Sequence, residues 1–519
     1  MKKDKYAKIF LIILFAYAVF SFSVMKNFGI TWDEPTQHLI GRAALNYIKG
    51  TISGFGYLQN DLVFYGPFFE MANQLAGNFF RSTFHIDRVD AFHILIILSA
   101  LIGLFFFFKL KRRMFGKKTA FWASIFLMLH PVFFAHSQYN SKDIPLFMLF
   151  MITLFLLYTG FKERKLWKIA LGGVVCGLML DTRIDGLLIL PVFFGAYFLH
   201  TGLMFRSTHR KDWIVRLKRD IFFTAVFFAA TAVAVYAAWP TLWHNPLFFF
   251  DSLHYFLHHG WPGSVLYFGK TYSLTAIPWS YTIFFLFATM PLAFLIFTAA
   301  GIFAAARSIL RKEKLLEISI LFLWPASRFA VDLFPDSLKY DGVRHFLIVL
   351  PAFMVLAGWG FARLLDKIPK YFPKAKNAVR AGLITVVIVW SLVQFFHVFP
   401  FDGSYFNEVM QMEYPKNIDL QFDFSYWGET YRQGADWLNQ NAEPKSTYCV
   451  PIADHLLKSY PVRKDLTMDC SEKTEYLMFF TRWPGIPESL ENEFHYREKD
   501  PVFRISKYDS DMLLIYKVK

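Results

Sequence analysis

Residues 31–38 read Thr31-Trp32-Asp33-Glu34-Pro35-Thr36-Gln37-His38 and follow the first long apolar run of the chain. No charged residue stands between Lys8 and Lys26, so the adjacent carboxylates of Asp33 and Glu34 mark where the chain meets water again. Crossing a bilayer takes roughly 20 apolar residues, and this run is long enough. Ser21-Phe22-Ser23 loosely resembles a signal-peptide cleavage site. The apolar run continues through Met25, which favours a retained anchor.

Further runs of the same kind recur as far as residue 399. They give about eleven spans, near 7–25, 89–108, 119–136, 144–161, 169–181, 184–204, 220–239, 281–306, 316–334, 342–362 and 381–399. The fifth is short and is expected to tilt or break near Asp181-Thr182-Arg183. The composition agrees: 55% of the 519 residues are hydrophobic and 18% are charged, against about 25% charged in soluble domains. The net charge of +15 would suggest nucleic acid in a soluble chain. Here it has another source, because 30 of the 55 Lys and Arg residues fall in alternate loops: 1–8, 109–118, 162–168, 206–219, 307–314 and 363–380. Cytoplasmic loops collect such residues, which puts the N-terminus in the cytoplasm and the C-terminus outside. No nucleic-acid partner is expected.

Two outer loops are long. Loop 26–88 holds amphipathic segments near Gln37–Ile48 and Phe68–Phe80, suited to the membrane surface. Loop 240–280 is aromatic and carries His244, His254, His258 and His259, as expected of a cover over a lipid-accepting site. Residues 1–400 are read as a transmembrane catalytic domain and 401–519 as a small α/β domain outside the membrane. Its apolar runs are Thr447–Ile452, Tyr476–Phe480 and Met512–Val518, and Gly428–Leu438 has helical spacing. Cys449 and Cys470 lie there, open to a disulfide in an oxidising compartment or to two buried thiols.

Ionisable groups near bilayer depth are costly and often functional. On the outer side they are Asp33 and Glu34; Lys142 and Asp143; Asp181, Arg183 and Asp185; and Asp336, Lys339, Asp341, Arg344 and His345. Neighbouring carboxylates such as Asp33 and Glu34 suit a general base, though Asp33 before Pro35 is also a good helix start. Asp143, with a proline two residues on, has the same bland alternative as a cap. Lys142 and Arg344 match phosphate oxygens, against a plain interfacial anchor for Arg344. Arg183 is similar, with a buried pair to Asp181 or Asp185 as its alternative. No Walker loop, dinucleotide fingerprint or Gly-x-Ser-x-Gly occurs, which argues against a soluble nucleotide-sugar domain and for a lipid-borne donor.

In order along the chain stand Asp33-Glu34 after the first span, Tyr65-Gly66-Pro67 before the second, and His130-Pro131 in the third. Asp143-Ile144-Pro145 opens the fourth, and a late span runs from Arg344-His345-Phe346 to Leu350-Pro351. Tyr405–Glu408 and Ser425–Gly428 follow. This order resembles the GT-C superfamily of membrane glycosyltransferases, which includes protein O-mannosyltransferases, the lipid A aminoarabinose transferase and bacterial relatives. The resemblance covers the membrane part and the start of the outer region. It implies transfer of one sugar from a polyprenyl-phosphate donor, usually with inversion, to an envelope glycan, lipid or protein at the outer face of a bacterial inner membrane.

Carried onto this chain, the resemblance makes Asp33 the base or acceptor-positioning carboxylate and Glu34 its support. Lys142, Asp143, Arg344, His345, Arg183 and Tyr65 become candidates for the donor phosphate and sugar. No cofactor is required. A divalent metal is the open alternative, with Asp33 and Asp143 as its ligands. The acidic pair that metal-dependent oligosaccharyl transferases place in the second outer loop is replaced here by Lys142-Asp143. A polyprenyl-linked sugar flippase is the rival reading; it needs no base at Asp33 and favours inverted repeats, which are not found. An O-antigen ligase or polymerase would instead cluster its catalytic groups in a late outer loop.

Overall fold

The computed structural model describes residues 4–519 except 53–57, 59, 204, 206–208, 259, 261–262, 274–275, 334–336 and 338. Asp336 and His259 therefore lie outside the described residues. The first helices are α1 (Lys5–Val24), α2 (Glu34–Ile48), α3 (Phe68–Phe84), α4 (Arg88–Phe115), α5 (Lys117–Met128) and α6 (Pro131–Tyr139). Next come α7 (Asp143–Glu163), α8 (Leu166–Leu180), α9 (Ala196–Leu203), α10 (Arg210–Ala238) and α11 (Phe248–His258). The membrane part ends with α12 (Ser280–Ala288), α13 (Leu292–Leu310), α14 (Leu315–Asp332), α15 (Leu350–Tyr371) and α16 (Lys376–Val398).

Each of the eleven expected spans coincides with helix, and the protein is an integral membrane protein. Among the described residues, eight helical stretches are long and apolar enough to cross a bilayer, or nine if the bent pair α5–α6 is one span. The shortfall from eleven has local causes. The bend of 67° between α5 and α6 falls at Pro131, whose ring supplies no N–H to the preceding turn. Helix α8 has only 15 residues, and the 18 residues of α14 include Glu317, Arg328 and Asp332. Pro291 splits the expected 281–306 span into α12 and α13.

Helix α15 is the axis of the bundle, and its membrane-length window is wholly buried. It can be approached so closely because Gly358 carries no side chain; a Cβ there would stand 2.4 Å from the backbone nitrogen of Ala123 on α5. The two amphipathic segments of the first long loop form α2 and α3. The second long loop forms α11 and a hairpin of β1 (Ser264–Tyr267) and β2 (Lys270–Ser273).

Beyond residue 400 the chain first returns to the bundle: Phe401, Tyr405, Phe406, Phe422 and Phe424 belong to the same apolar core as the membrane helices. The remainder builds a five-stranded sheet in the order β4-β3-β5-β7-β6, from β3 (Thr447–Cys449), β4 (Thr467–Met468), β5 (Tyr476–Phe480), β6 (Phe503–Lys507) and β7 (Ser510–Lys517). β3 is parallel to β4 and β5, whereas β7 runs antiparallel to β5 and β6. Helix Tyr431–Asn441 packs on it through Tyr431, Ala435 and Leu438. Cys449 and Cys470 are disulfide-bonded. The sheet's core also takes in Ile30 and Val89, so it is seated on the segment that leads to Asp33. Arg432 donates to the carbonyls of Lys26 and Phe28 at 2.7 and 2.8 Å, and Trp32 N–H donates to Trp427 at 2.9 Å.

Candidate active site

Asp33 precedes α2 but does not cap it; its carboxylate makes no hydrogen bond to the first-turn amides. Pro35 supplies the helix start, as proline does in a first turn, so the Asp33 side chain is free to turn away. Its Oδ2 accepts from the Arg344 guanidinium and faces Lys142 Nζ at 3.4 Å. Arg344 is only 3% exposed and Asp33 29%, so the carboxylate is the open member of a buried ion pair. Burial would push the Asp33 carboxyl up, but the charges of Arg344 and Lys142 outweigh it and hold the group well below the usual carboxylate range.

Glu34 points elsewhere. Its Oε1 accepts the backbone N–H and hydroxyl of Thr31 at 2.7 and 2.8 Å, and Oε2 meets His93 Nε2 at 2.9 Å. These contacts of Glu34 fix the turn on which Asp33 stands, rather than the cation cluster.

The hairpin between α6 and α7 delivers Lys142 and Asp143. Here Asn140 does the capping: its Oδ1 accepts the N–H of Lys142 at 3.0 Å and of Asp143 at 2.8 Å. That leaves the Asp143 carboxylate for Arg183 Nη1 at 2.6 Å and Asn140 Nδ2 at 2.7 Å. Arg183 also holds Asp185 at 2.5 Å and approaches His345 Nδ1 at 3.2 Å. The expected Arg183–Asp185 pair exists, and the guanidinium reaches on to Asp143 as well.

Arg344 occupies the centre. Besides Asp33, it donates to Asp341 at 2.6 Å and lies 3.8 Å from Asp143. Its guanidinium stands 4.3 Å from the centroid of the Trp427 ring. Lys142 Nζ lies 5.0 Å from the ring centroid of Tyr65, which packs edge-on against Phe256 of α11. The Tyr65-Gly66-Pro67 turn can sit there because Gly66 is bare; a Cβ would fall 2.1 Å from the Asp181 carbonyl oxygen. Of the eight site residues expected from sequence, Glu34 alone stands aside from this network of direct contacts.

Three further participants, Asp341, Arg482 and Trp427, were not among the expected site residues, although Asp341 stood in the outer-face set of charges. Asp341 bridges Arg344 to Arg482, whose Nη2 is 3.0 Å away. Arg482 also donates to the Tyr426 carbonyl at 3.0 Å. Trp427 was visible inside the Ser425–Gly428 motif, but nothing around Arg482 in the sequence marks it. The other late motif, Tyr405–Glu408, is structural: Asn407 Nδ2 donates to the carbonyls of Phe287 and Met290 at 2.8 and 3.0 Å, and Glu408 accepts Leu292 N–H at 2.9 Å. It clamps the break between α12 and α13.

Asp33 and Asp143, the two carboxylates open to a metal, are both engaged by cationic side chains. Among the described residues, no three His, Cys, Asp or Glu side chains form a group able to hold a metal ion. As arranged, the donor set does not fit a divalent cation.

Comparison with known proteins bears on the fold. The sequence model for dolichyl-phosphate-mannose-protein mannosyltransferases matches residues 79–243. The fold is similar to that of ArnT from Cupriavidus metallidurans bound to undecaprenyl phosphate, with a TM-score of 0.51, 16% identity and 97% of both chains covered. The chain thus shares its fold with ArnT, and its residues 79–243 match the mannosyltransferase family model. The fold is also similar to that of the archaeal oligosaccharyltransferase AglB from Archaeoglobus fulgidus, in complex with an inhibitory peptide and a dolichol-phosphate. There the TM-score is 0.50 and the identity 13%, over 92% of this chain and 70% of the other. No curated protein sequence gives a significant match.

Proposed function

We propose that this chain is a glycosyltransferase of the GT-C superfamily that moves one sugar from a polyprenyl-phosphate donor to an acceptor at the outer face of the bacterial inner membrane, with inversion. The acceptor is an envelope glycan, lipid or protein. One observation supports this most: a partly open carboxylate, Asp33, shares its oxygen with two cations, Arg344 and Lys142. A lipid phosphate leaving group needs cations where its charge develops, and the acceptor needs a carboxylate for its proton.

In the proposed reaction the acceptor oxygen or nitrogen attacks the anomeric carbon. The bond from that carbon to the phosphate oxygen breaks, polyprenyl phosphate departs against Arg344 and Lys142, and the acceptor proton passes to Asp33. A carboxylate held this far below its usual range is a weak base. Donor phosphate drawing on the same two cations would loosen their hold on Asp33 and restore its basicity. Lys142, Arg183, Asp143, His345 and Tyr65 serve as the donor pocket in this reading, and Glu34 as the anchor of the Asp33 turn. The cations take the place a metal would fill, so the transfer needs no divalent ion. Residues 1–400 form the catalytic membrane part and 401–519 the part outside, with the N-terminus in the cytoplasm.

The test is mass spectrometry of envelope glycans and polyprenyl-phosphate lipids from wild type, a deletion strain and Asp33→Asn at normal expression. Loss of the same single sugar in both mutants, with its polyprenyl-phosphate form accumulating, is the expected result. An Asp33→Asn strain that keeps the sugar lost on deletion would remove Asp33 as the base and favour a flippase.

A further inference from the structure

A second cluster of cations stands at the other end of the bundle. Helix α7 begins at Asp143 in the candidate active site, and its last turn, at the end of its 21 residues, reaches Lys162 and Glu163. At 1.5 Å per residue that is a separation of roughly 30 Å. There the ends of α7, α9 and α10 and the link between α13 and α14 enclose a cavity of about 390 Å³. Six of its lining residues are Lys162, Arg164, Arg216, Arg219, Lys312 and Lys314.

The carboxylate that lines the cavity and the one buried behind it are already taken. Glu317 accepts the Tyr158 hydroxyl at 2.6 Å and faces Lys162 at 3.7 Å. Asp220, fully buried behind the wall, accepts from Arg219 at 2.6 Å and from the Tyr197 hydroxyl at 2.9 Å, with Arg216 at 3.5 Å. Lys314 donates to the Met114 carbonyl at 2.7 Å. Among the described residues, Arg164 and Lys312 form no ion pair with a carboxylate. Both hold left-handed backbone, φ 57° and 56°, a conformation in which glycine would be cheaper than a long cation. The chain thus places two unneutralised charges on the rim of a cavity whose wall includes the rings of Phe161 and Phe193.

The residues beside the lining ones in the chain decide between a dissolved anion and a lipid. Leu199 and Leu203 on α9 and Ile309 and Leu310 at the end of α13 are exposed, Leu310 by 83%. Side chains of this kind at the ends of membrane helices face acyl chains, so the cavity opens at headgroup depth. We infer that this cavity is a binding site for the phosphodiester headgroup of an anionic glycerophospholipid in the leaflet opposite the candidate active site. Arg164 and Lys312 meet the phosphate, and the apolar flank of α9 and α13 receives the acyl chains. Basic pockets between membrane helices bind anionic headgroups in this manner. The inference does not depend on the reaction proposed for the other end.

The full-length protein, purified in detergent, is titrated with phosphatidylglycerol, phosphatidylcholine and inorganic phosphate, and occupancy is read by native mass spectrometry. Two double variants are compared: Arg164→Gln with Lys312→Gln, and Lys374→Gln with Lys376→Gln, which removes the same charge from exposed positions where the chain turns from α15 into α16. One juxtamembrane cation contributes about fivefold to anionic-lipid attraction, so the first variant should bind phosphatidylglycerol roughly 25-fold more weakly. The second should match wild type, and an unchanged melting temperature confirms that both are folded. Equal weakening in both variants would mean diffuse surface attraction and would overturn the site. Phosphatidylcholine binding as well as phosphatidylglycerol would overturn the charge recognition. Inorganic phosphate occupying the site at the same concentration would overturn the lipid.

Discussion

The guanidinium of Arg344 lies 4.3 Å from the ring centroid of Trp427, so the central cation of the site is covered by a residue from beyond the last membrane helix. The same guanidinium bridges Asp33 and Asp341. An ammonium in its place cannot span both carboxylates and stack on the indole at once. Arg344→Lys should lower kcat/KM by about 100-fold at unchanged expression. Trp427→Phe, which keeps a ring there, should lose much less than Trp427→Ala. Equal activity of Arg344→Lys and wild type in a sugar-transfer assay would show that the bridge has no role.

The pH profile offers a sharper check on Asp33. Its carboxyl is held down chiefly by Arg344 and Lys142 against the opposing effect of burial. In the free enzyme it should stay ionised to unusually low pH, so the acid limb of kcat/KM should lie below the ordinary carboxylate range. Lys142→Met removes one restraining charge, the carboxyl pKa rises, and the limb should move to higher pH. Asp33→Asn should cost about 100- to 10,000-fold. A limb that stays put in Lys142→Met would belong to another group.

Metal dependence is settled by removal. With Asp33 and Asp143 engaged by cationic side chains, excess EDTA should leave initial rates within error of the untreated enzyme. Loss of activity with EDTA, restored by added Mg²⁺ or Mn²⁺, would refute the metal-free reading.

Glu70 on α3 is buried beside the site, and its carboxylate oxygens have no hydrogen-bond partner among the described residues. Burial pushes its carboxyl up to about 8, with the nearby Ser141 hydroxyl and then the Lys142 charge pulling the other way. Between the unfolded value near 4.5 and about 8 the folded state holds more protons than the unfolded state, so stability falls as pH rises through that window. Glu70→Gln removes the ionisation, and its melting temperature should fall less than that of wild type between pH 5 and 8. Parallel curves would show that Glu70 is not the source.

Asn407 gives a contrasting case. It donates to two carbonyls at the α12–α13 break and caps the following turn. Asn407→Ala should cost about 1–3 kcal/mol of stability while leaving KM for the donor unaltered in the folded fraction. A selective rise in KM would place the motif nearer the donor than its hydrogen bonds indicate.

The spans were legible because lipid tolerates one kind of side chain over some 20 residues, and that signal is local. The same locality explains the differences at Pro131 and Pro291, where a proline inside an apolar run breaks the helix without interrupting hydropathy. Asp33, Lys142 and Arg344 could be picked out because a charge at the edge of a span is conspicuous. Their mutual pairing was not legible, since residues 109 and 311 positions apart meet only through helix packing. Arg482 was hidden for the opposite reason: it lies beyond the last span, where a charge beside an apolar run is ordinary and carries no signal. Asp33 and Asp143 both looked like helix caps, and Asn140 and Pro35 turned out to set those turns.

Arg482 reaches Asp341 from the far end of β5, and Trp427 closes over Arg344. Both are made after every membrane helix. A ribosome inserting this chain therefore threads the whole bundle into the bilayer with its charge centre still uncovered. The order of synthesis acts as a timer: no partly finished chain holds the assembled site, and truncation anywhere before Arg482 should leave an inserted but inert bundle.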